Sequence, residues 1–384
     1  MDIYSWILTL AIIAGQLIKL PIAGQGGVTI LDLTVIFLCF IGFIKLKFKL
    51  KKPPLFLTSA IPFVAVAILS LIFTPLHLNI QEILTSFLYT VRFSAYILLG
   101  WIVFSGAFPT LRDKIVRIFI ISGVALAILG LIQLIFLPDL RFLTSWGWDP
   151  HYFRTVSTFL DPNFAGAFLV LTLLLLTTSY LGGRNDQTRR VFYIMFAITY
   201  LALLTTFSRG AYLTFLVSFL TISFLQKSLK LGIVAALLFV GLLLGFFAYQ
   251  KAVALPHGID RTESAEFRLN TWQQGGTLFQ THPILGIGFN AYRYALRQYH
   301  LGDSEFLKSH GASTNDSSLL YVASTTGMLG LISFLFFLSS LLSRRKIILT
   351  GGLIGLIAQS FFTNSLFYPP ILAWVLLISV TPKK

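Results

Sequence analysis

Cysteine and charge are both scarce in this chain. Of its 384 residues only one is a cysteine, and Asp, Glu, Lys and Arg together make up 11%. A single cysteine excludes an intramolecular disulfide framework and a metal cluster built from cysteines. The sequence also shows no phosphate-binding P-loop, no dinucleotide fingerprint and no His-Glu-x-x-His zinc motif. We therefore expect neither a cofactor nor a metal.

Apolar residues are abundant instead. They make up 56% of the chain, and the mean hydropathy is +0.83, outside the range of soluble globular domains. The formal net charge of +15 would suggest a nucleic-acid partner in a soluble protein, but here the basic residues lie between apolar stretches and report topology. We predict an all-α, polytopic integral membrane protein that forms a single membrane domain over residues 1–384. Its outer surface is expected to contact membrane lipid, and no nucleic-acid partner is expected.

Twelve apolar stretches are long enough, or nearly so, to cross about 30 Å of hydrocarbon as helices. Their limits are 3–23, 28–46, 55–76, 84–106, 116–137, 163–182, 191–207, 211–226, 231–249, 318–341, 347–364 and 369–381. The first stretch lacks a basic segment before it, so we expect a retained span and not a cleaved signal peptide. Lys19 and Arg92 fall inside predicted spans.

The loops between these stretches differ in their basic residues. Alternate loops place 18 Lys and Arg residues on one side and nine on the other, and cytoplasmic loops retain the larger share. Both termini are therefore predicted to be cytoplasmic. The two long loops, 138–162 and 250–317, then lie outside, as do all six histidines: His77, His151, His257, His282, His300 and His310. We expect any chemistry on the outer face of the membrane.

Three of the arginines expected on that face are candidates for binding an anion. Arg209, in TTFSRGAYLTF, lies at a tight turn between two spans, where a basic residue is disfavoured unless it has a task. The alternative is a guanidinium that snorkels to the interface. We expect Gly210 to free the backbone of this turn, Arg268 to point inward from a helix over 265–280, and Arg154 to add a third cation. Such guanidinium groups suit a diphosphate on an amphiphilic substrate whose lipid tail lies among the helices.

Other polar residues on this side have simpler interpretations. Asp161 or Asn163 can cap the helix of span six, and we favour capping over substrate contact. Arg293 and Arg297 lie four apart on a second amphipathic helix of the long loop, and we favour a solvated or head-group-facing stripe. His282 ends the first loop helix before the turn LGIG. Asn163, His282 and Arg293 remain candidates for substrate or loop contacts.

Four segments in order resemble the O-antigen ligase and O-antigen polymerase family of bacterial membrane glycosyltransferases. They are STFLDPNFAGAFL, FSRGAYL, FRLNTWQQGGTLFQTHPILGIGFNAY and DSSLLYVASTTGMLGL, within about the last 230 residues. The resemblance implies metal-independent transfer of a glycan, by ligation or polymerisation, from an undecaprenyl-diphosphate carrier to a glycan or lipid acceptor. It places this polysaccharide biosynthesis at the outer face of the bacterial cytoplasmic membrane, in the cell envelope. It also implies that Arg209 and Arg268 bind the diphosphate.

The catalytic base is the point at which this sequence departs from the family. A family histidine at the start of the helix after the long loop is proposed to activate the acceptor hydroxyl, but here Asp316 and Ser317 hold that position and His310 lies six residues earlier. Asp316 can act as a base or cap span ten. His310 has an ordinary pKa near neutrality, yet a loop histidine is often only solvated. Both stay candidates.

Two other classes of function compete with glycan transfer. A transporter or flippase of lipid-linked sugars would also combine many spans with arginines, although no matched pair of broken spans is evident. A family member that binds the carrier without catalysis is the third hypothesis.

Overall fold

The computed structural model describes residues 1–21, 27–180, 186–257, 263–343 and 346–382. Within these ranges the helices are α1 (Ile3–Ala14), α2 (Ile30–Lys45), α3 (Leu55–Thr58), α4 (Ala60–Ile72), α5 (Ile80–Ser105), α6 (Pro109–Phe136), α7 (Pro162–Tyr180), α8 (Asp186–Thr206), α9 (Arg209–Gln226), α10 (Leu229–Tyr249), α11 (Glu263–Thr281), α12 (Tyr292–Gln298), α13 (Ser318–Leu341), α14 (Ile347–Gln359) and α15 (Pro369–Ser379). The strands are β1 (Lys19–Pro21) and β2 (Gly27–Thr29). Short helical turns lie at Arg141–Trp146, Ser157–Phe159, Gln250–Ala254, Leu255–His257, Phe306–Lys308 and Gly311–Ser313.

Helix length and composition confirm the predicted class of membrane protein. Among the described residues, seven helical segments are long and apolar enough to cross a membrane: Leu55–Ile72, Ile80–Ser105, Pro109–Phe136, Pro162–Ser179, Arg189–Thr206, Leu229–His257 and Gly311–Leu341. Three further apolar helices, Ile3–Ala14, Ile347–Gln359 and Pro369–Ser379, are shorter. Large apolar side chains such as Phe136 and Phe224 are 76% and 82% exposed, as expected of a surface in contact with lipid. The count of twelve spans stays a prediction.

The predicted topology depends partly on basic residues that lie outside the described ranges. These are Arg184, Arg261, Arg344, Arg345, Lys383 and Lys384. The cytoplasmic position of both termini therefore stays a prediction from the sequence.

The first predicted span is not a single helix. α1 ends at Ala14, and Gly15 then takes a φ of 55°, with a site for a Cβ only 2.5 Å from the carbonyl oxygen of Thr158. The chain continues into β1, which pairs with β2 in antiparallel register. The prediction of a span over 3–23 is wrong because glycine at this close contact turns the chain, and Lys19 lies on a strand instead of inside a span.

The centre of the bundle is α7, which is buried along most of its length against α6, α8 and α9. A second apolar centre is an aromatic cluster formed by Phe63, Phe289, Phe334 and Phe367. Phe63 lies 4.9 Å from Phe334 and 5.6 Å from Phe289, measured between ring centroids. This cluster joins α4 and α13 to the long loop, because Phe289 follows the LGIG turn.

Helix α13 is broken at Gly327, which takes φ 65° and ψ −165°. The break leaves carbonyl groups of the preceding turn without their helical partners, and the LGIG turn supplies donors. Ile287 donates its N–H to the carbonyl of Ser324 over 3.1 Å, and Gly288 donates to Thr325 over 3.0 Å. Two segments that carry the family resemblance are therefore hydrogen-bonded to each other, and the bonds satisfy backbone groups inside an apolar bundle.

Candidate functional site

A cavity of about 760 Å³ lies among the bundle, the loop before α7 and the long loop. Its walls come from β1 and β2, α5, the loop 148–161, the first turn of α7, α11, α12, the segment 310–316, α13, the segment 362–368 and the start of α15. This volume is within the range of about 300–1,000 Å³ that is typical of ligand sites. Parts of the chain far apart in sequence therefore build one concave site.

The cavity brings together six of the eight residues predicted for the site. Those that line it are Arg154, Asn163, Arg268, Arg293, His310 and Asp316. Arg209 and His282 do not line it. His282 instead lies 2.7 Å, through Nε2, from the hydroxyl of Tyr299, so it makes a contact within the long loop.

The Ser-Arg-Gly turn is held by the start of α7. Asn163 accepts a hydrogen bond through Oδ1 from the hydroxyl of Ser208 over 2.7 Å. The Ser208 hydroxyl in turn accepts from the N–H of Ala211 and caps α9, of which Arg209 is the first residue. Asn163 therefore positions the turn, and two more segments of the resemblance meet here.

Gly210 does not have the role predicted for it. The positive φ at this turn belongs to Phe207, at 48°, whereas Gly210 is helical. A Cβ on Gly210 would make an ordinary contact of 3.5 Å with Cγ of Gln359. The expectation that Gly210 frees the backbone is wrong, since the turn is formed one residue before Ser208.

Arg209 lies just outside the cavity. Its side chain is exposed and its guanidinium carbon is 5.9 Å from the ring centre of Phe246. Within the described ranges, the Arg209 side chain has no ion pair or hydrogen bond. The charges of Arg209 and Arg268 act on each other, so an anion placed between them would relieve a repulsion. Snorkelling stays the alternative for Arg209.

Arg154 has a structural partner in the turn. It is 6% exposed and donates from Nε to the carbonyl of Thr206 over 2.9 Å and from Nη2 to that of Phe207 over 3.4 Å. A cation at the last carbonyls of α8 is also favoured by the helix dipole. Arg154 thus fastens the loop before α7 to the Ser-Arg-Gly turn, and a direct role in diphosphate binding stays a prediction.

Asp161 caps α7, which confirms the favoured interpretation. Its Oδ1 accepts from the N–H groups of Asn163 over 2.6 Å and Phe164 over 3.1 Å. Burial raises the pKa of Asp161, although these two donors and Arg154 favour its ionised form. Asp161 also lines the cavity.

Asp316 does not cap α13, because Ser317 does so by accepting from the N–H of Leu320. The Asp316 carboxylate accepts from the hydroxyl of Thr271 over 3.3 Å. Thr271 lies one helical turn after Arg268 on α11, and the charges of Arg268 and Asp316 act on each other. The capping alternative for Asp316 is wrong, and its carboxylate and the Arg268 guanidinium share one part of the cavity.

The buried side chain of Asn315 fixes the segment before α13. It donates through Nδ2 to the hydroxyl of Tyr292 over 2.8 Å and to the carbonyl of Thr271, while its Oδ1 accepts from the N–H of Ser317 over 2.9 Å. These bonds join α11, α12 and α13. The neighbouring Asp316 is therefore carried on a rigid support.

His310 lies in a different environment from Asp316. Its ring packs on Trp148 with centroids 4.6 Å apart, and its backbone N–H donates to the carbonyl of Gly147. Burial, together with the positive charges of Lys19 and Arg293, lowers the pKa of His310 to about 4. The pKa of His310 therefore lies below the ordinary value expected from the sequence, and its surroundings disfavour the protonated imidazole.

Arg293 and Arg297 do not form one exposed stripe. Arg293 turns into the cavity and donates from Nη2 to the carbonyl of Ser309 over 2.7 Å. The Arg297 side chain is 57% exposed and forms an ion pair of 2.7 Å with Glu82. The favoured interpretation is therefore wrong for Arg293, whose surroundings are protein and cavity.

Sequence reasoning missed Lys19, Arg92 and Asp149, which also line the cavity. Arg92 forms a 2.8 Å ion pair with Asp32 and donates to the carbonyl of Gly27. The enclosing protein, with the nearby carboxylates of Asp161 and Asp316, raises the pKa of Asp149 to about 6, although the Asp149 side chain itself is exposed at the cavity. Lys19 and Arg92 could have been found from the sequence, because ionisable residues inside predicted spans are by default candidates for function.

The cavity has two ends of different charge. The mixed-charge end is the group Arg154, Arg268, Asp149, Asp161 and Asp316, whose charges act on one another. The basic end is the group Lys19, Arg92 and Arg293, with Asp32 as the partner of Arg92. The adjacent residues Trp148 and Asp149 lie between the two, since Trp148 contacts Lys19 and Asp149 interacts with Asp316.

In the part of the chain that the structure describes, no group of three or more His, Cys, Asp or Glu residues could hold a metal ion. The arrangement is a polytopic membrane bundle with an internal site of arginines and carboxylates, which suits an anionic substrate that is partly embedded in lipid.

Residues 194–335 match the family model for O-antigen ligase. This segment includes Arg209, Arg268, His310 and Asp316, and over these residues the resemblance to the O-antigen ligase family is confirmed. The segment STFLDPNFAGAFL lies before the match. Comparison with curated proteins gives no match.

Proposed function

We propose that this protein transfers a glycan from an undecaprenyl-diphosphate carrier to an acceptor hydroxyl at the outer face of the bacterial cytoplasmic membrane, without a metal. The observation that carries the proposal is the juxtaposition of Arg268 and Asp316 in one cavity, with Arg209 near enough for its charge to act on Arg268. Glycan transfer needs both functions, a cation for the leaving diphosphate and a base for the acceptor. The family match supports the same type of reaction.

The proposed reaction is a displacement at the anomeric carbon of the donor sugar. The acceptor hydroxyl gives its proton to the Asp316 carboxylate, and its oxygen forms the new glycosidic bond. The bond between the anomeric carbon and the phosphate oxygen breaks, and the carrier diphosphate leaves with the electron pair. Arg268 and Arg209 stabilise the charge that grows on the leaving diphosphate, and two oxygens can be held at once by a planar guanidinium.

Asp316, in preference to His310, is proposed as the base. Its carboxylate is held by Thr271 on the same side of α11 as Arg268, so base and diphosphate site are close. His310 has a pKa of about 4 and lies beside two cations, which makes it a weak base. We propose that His310 and Trp148 instead form a wall against which a sugar packs.

The test uses purified protein in lipid nanodiscs with a defined undecaprenyl-diphosphate glycan as donor and, in the first series, as acceptor. Released carrier diphosphate and new glycoside are measured together. Arg268→Lys and Arg209→Lys are each expected to lower the rate by about 10²-fold, since an ammonium group cannot form the two-oxygen contact. Arg297→Lys is the matched control, because Arg297 is exposed, pairs with Glu82 and does not line the cavity.

Two results would contradict the proposal. Full activity in both lysine variants would exclude two-oxygen binding by these arginines. Movement of the carrier lipid across the bilayer without formation of a glycoside would indicate a flippase.

A further inference from the structure

The two arginines at the basic end of the cavity differ in how well their hydrogen-bonding groups are satisfied. Arg92 is satisfied by Asp32 and by the carbonyl of Gly27. Arg293 is different, because its Nη2 donates to the uncharged carbonyl of Ser309. Its Nε is buried and has no hydrogen-bond partner among the residues that the structure describes. Burying a guanidinium N–H without a hydrogen-bond acceptor lowers the stability of the folded protein, unless a ligand supplies the acceptor.

The three positive side chains at the basic end repel one another. Burial and then the charges of Arg92 and Arg293 lower the pKa of Lys19, and burial lowers that of Arg293. The group holds three cations, and its carboxylate, Asp32, pairs with Arg92. The mixed-charge end, in contrast, has as many carboxylates as cations when Arg209 is included. An added anion therefore gains more at the basic end.

Aromatic rings and a groove give the basic end a shape that suits a lipid head group. Arg92 packs over Tyr89, with its guanidinium carbon 4.6 Å from the ring centre. A smaller cavity of about 70 Å³ shares Tyr89 and Arg92 with the large one. It continues between α2 and α5 onto Ile36 and Val91, which are 51% and 40% exposed on the apolar outside of the bundle.

We infer that the basic end is a second anion subsite, which binds the phosphate or diphosphate of a lipid-linked acceptor through Arg293, Lys19 and Arg92. The lipid chain leaves through the groove between α2 and α5. This inference rests on the proposed function for its assignment to the acceptor, whereas the anion subsite itself is independent of catalysis. The two substrates then occupy opposite ends of one cavity, and the acceptor sugar reaches Asp316 past Trp148.

The test is the number of anionic lipids that one chain binds, measured by native mass spectrometry in nanodiscs with a short-chain polyprenyl diphosphate. Wild-type protein is expected to bind two. Arg293→Gln and Arg268→Gln are each expected to bind one, with at least tenfold weaker affinity for the second, and the double variant none. Arg297→Gln is the matched control on α12 and is expected to bind two. Thermal unfolding of each variant checks that it folds.

Several outcomes would overturn the inference. Two bound diphosphates in Arg293→Gln would exclude the basic end as an anion subsite. Equal binding of inorganic diphosphate, or of the neutral prenol, would show that the subsite takes a free anion or that the groove alone binds the lipid. Two bound lipids without any glycoside formation would refute the proposed function and leave the subsite intact. Glycoside formation with an unchanged acceptor KM in Arg293→Gln would refute the subsite alone.

Discussion

Replacing Gly327 by alanine tests how the broken helix α13 holds the site together. The φ and ψ of 65° and −165° lie in a region nearly reserved for glycine, which costs an alanine about 1–3 kcal/mol. The new Cβ would also collide with the carbonyl of Ile284 and approach the nitrogen of Leu285 to 2.6 Å. These are backbone atoms and cannot turn aside, so the LGIG turn must move.

Movement of that turn breaks its two hydrogen bonds to Ser324 and Thr325, each worth about 1 kcal/mol. The total expected destabilisation is about 3–5 kcal/mol, large for one methyl group. We expect a clearly lower midpoint of thermal unfolding in detergent, together with loss of glycan transfer because Arg293 follows this turn. Gly276→Ala is the control, since a Cβ there meets no atom within 4 Å. A Gly327→Ala protein as stable as wild type would refute the argument.

Three further predictions concern the base, the pH dependence and the topology. Asp316→Asn is expected to lower the transfer rate by about 10²–10⁴-fold, and His310→Gln by only a few-fold; the opposite order would assign the base to His310. The pKa of Asp149 is about 6, above its ordinary value of 3.8, so its contribution to stability is complete below the ordinary pKa and is lost as pH rises through 6; the contribution is small, because the side chain is exposed and water screens its charge. Asp149→Asn should therefore gain stability over wild type at pH 8 but not at pH 4, and equal gains at both would contradict this. Asp303→Cys should react with an impermeant maleimide in intact cells if the long loop lies outside. The native Cys39 is buried and should add little background labelling. Reaction only after lysis would reverse the topology.

The sequence predicted the helices well where apolar runs are uninterrupted and end at caps. The run that was expected over 191–207, for example, corresponds to α8, Asp186–Thr206. The cap formed by Asp161 was predictable because the Asp-Pro pair identifies a helix start locally. Signals of this kind depend on neighbours in sequence.

The parts that failed depend on contacts between distant residues. The hairpin of β1 and β2 was hidden in an apolar run, because the close contact of Gly15 with Thr158 joins segments far apart in sequence. Arg293 and Arg297 lie four residues apart on one helix, a spacing that predicts one shared face. In the structure, however, Arg297 pairs with Glu82 of α5, whereas Arg293 lines the cavity. Charge and periodicity alone could not separate the two arginines.

The walls of the cavity come from both ends of the chain, and this has a consequence for biosynthesis. Gln16, just after α1, donates to the hydroxyl of Tyr368, just before α15, across 352 positions. Tyr368 also stacks on Phe164 with ring centroids 4.2 Å apart. Synthesis must therefore have passed residue 368, and the helix that follows must have entered the bundle, before the cavity is complete. A nascent chain that has inserted its early helices does not yet have this cavity.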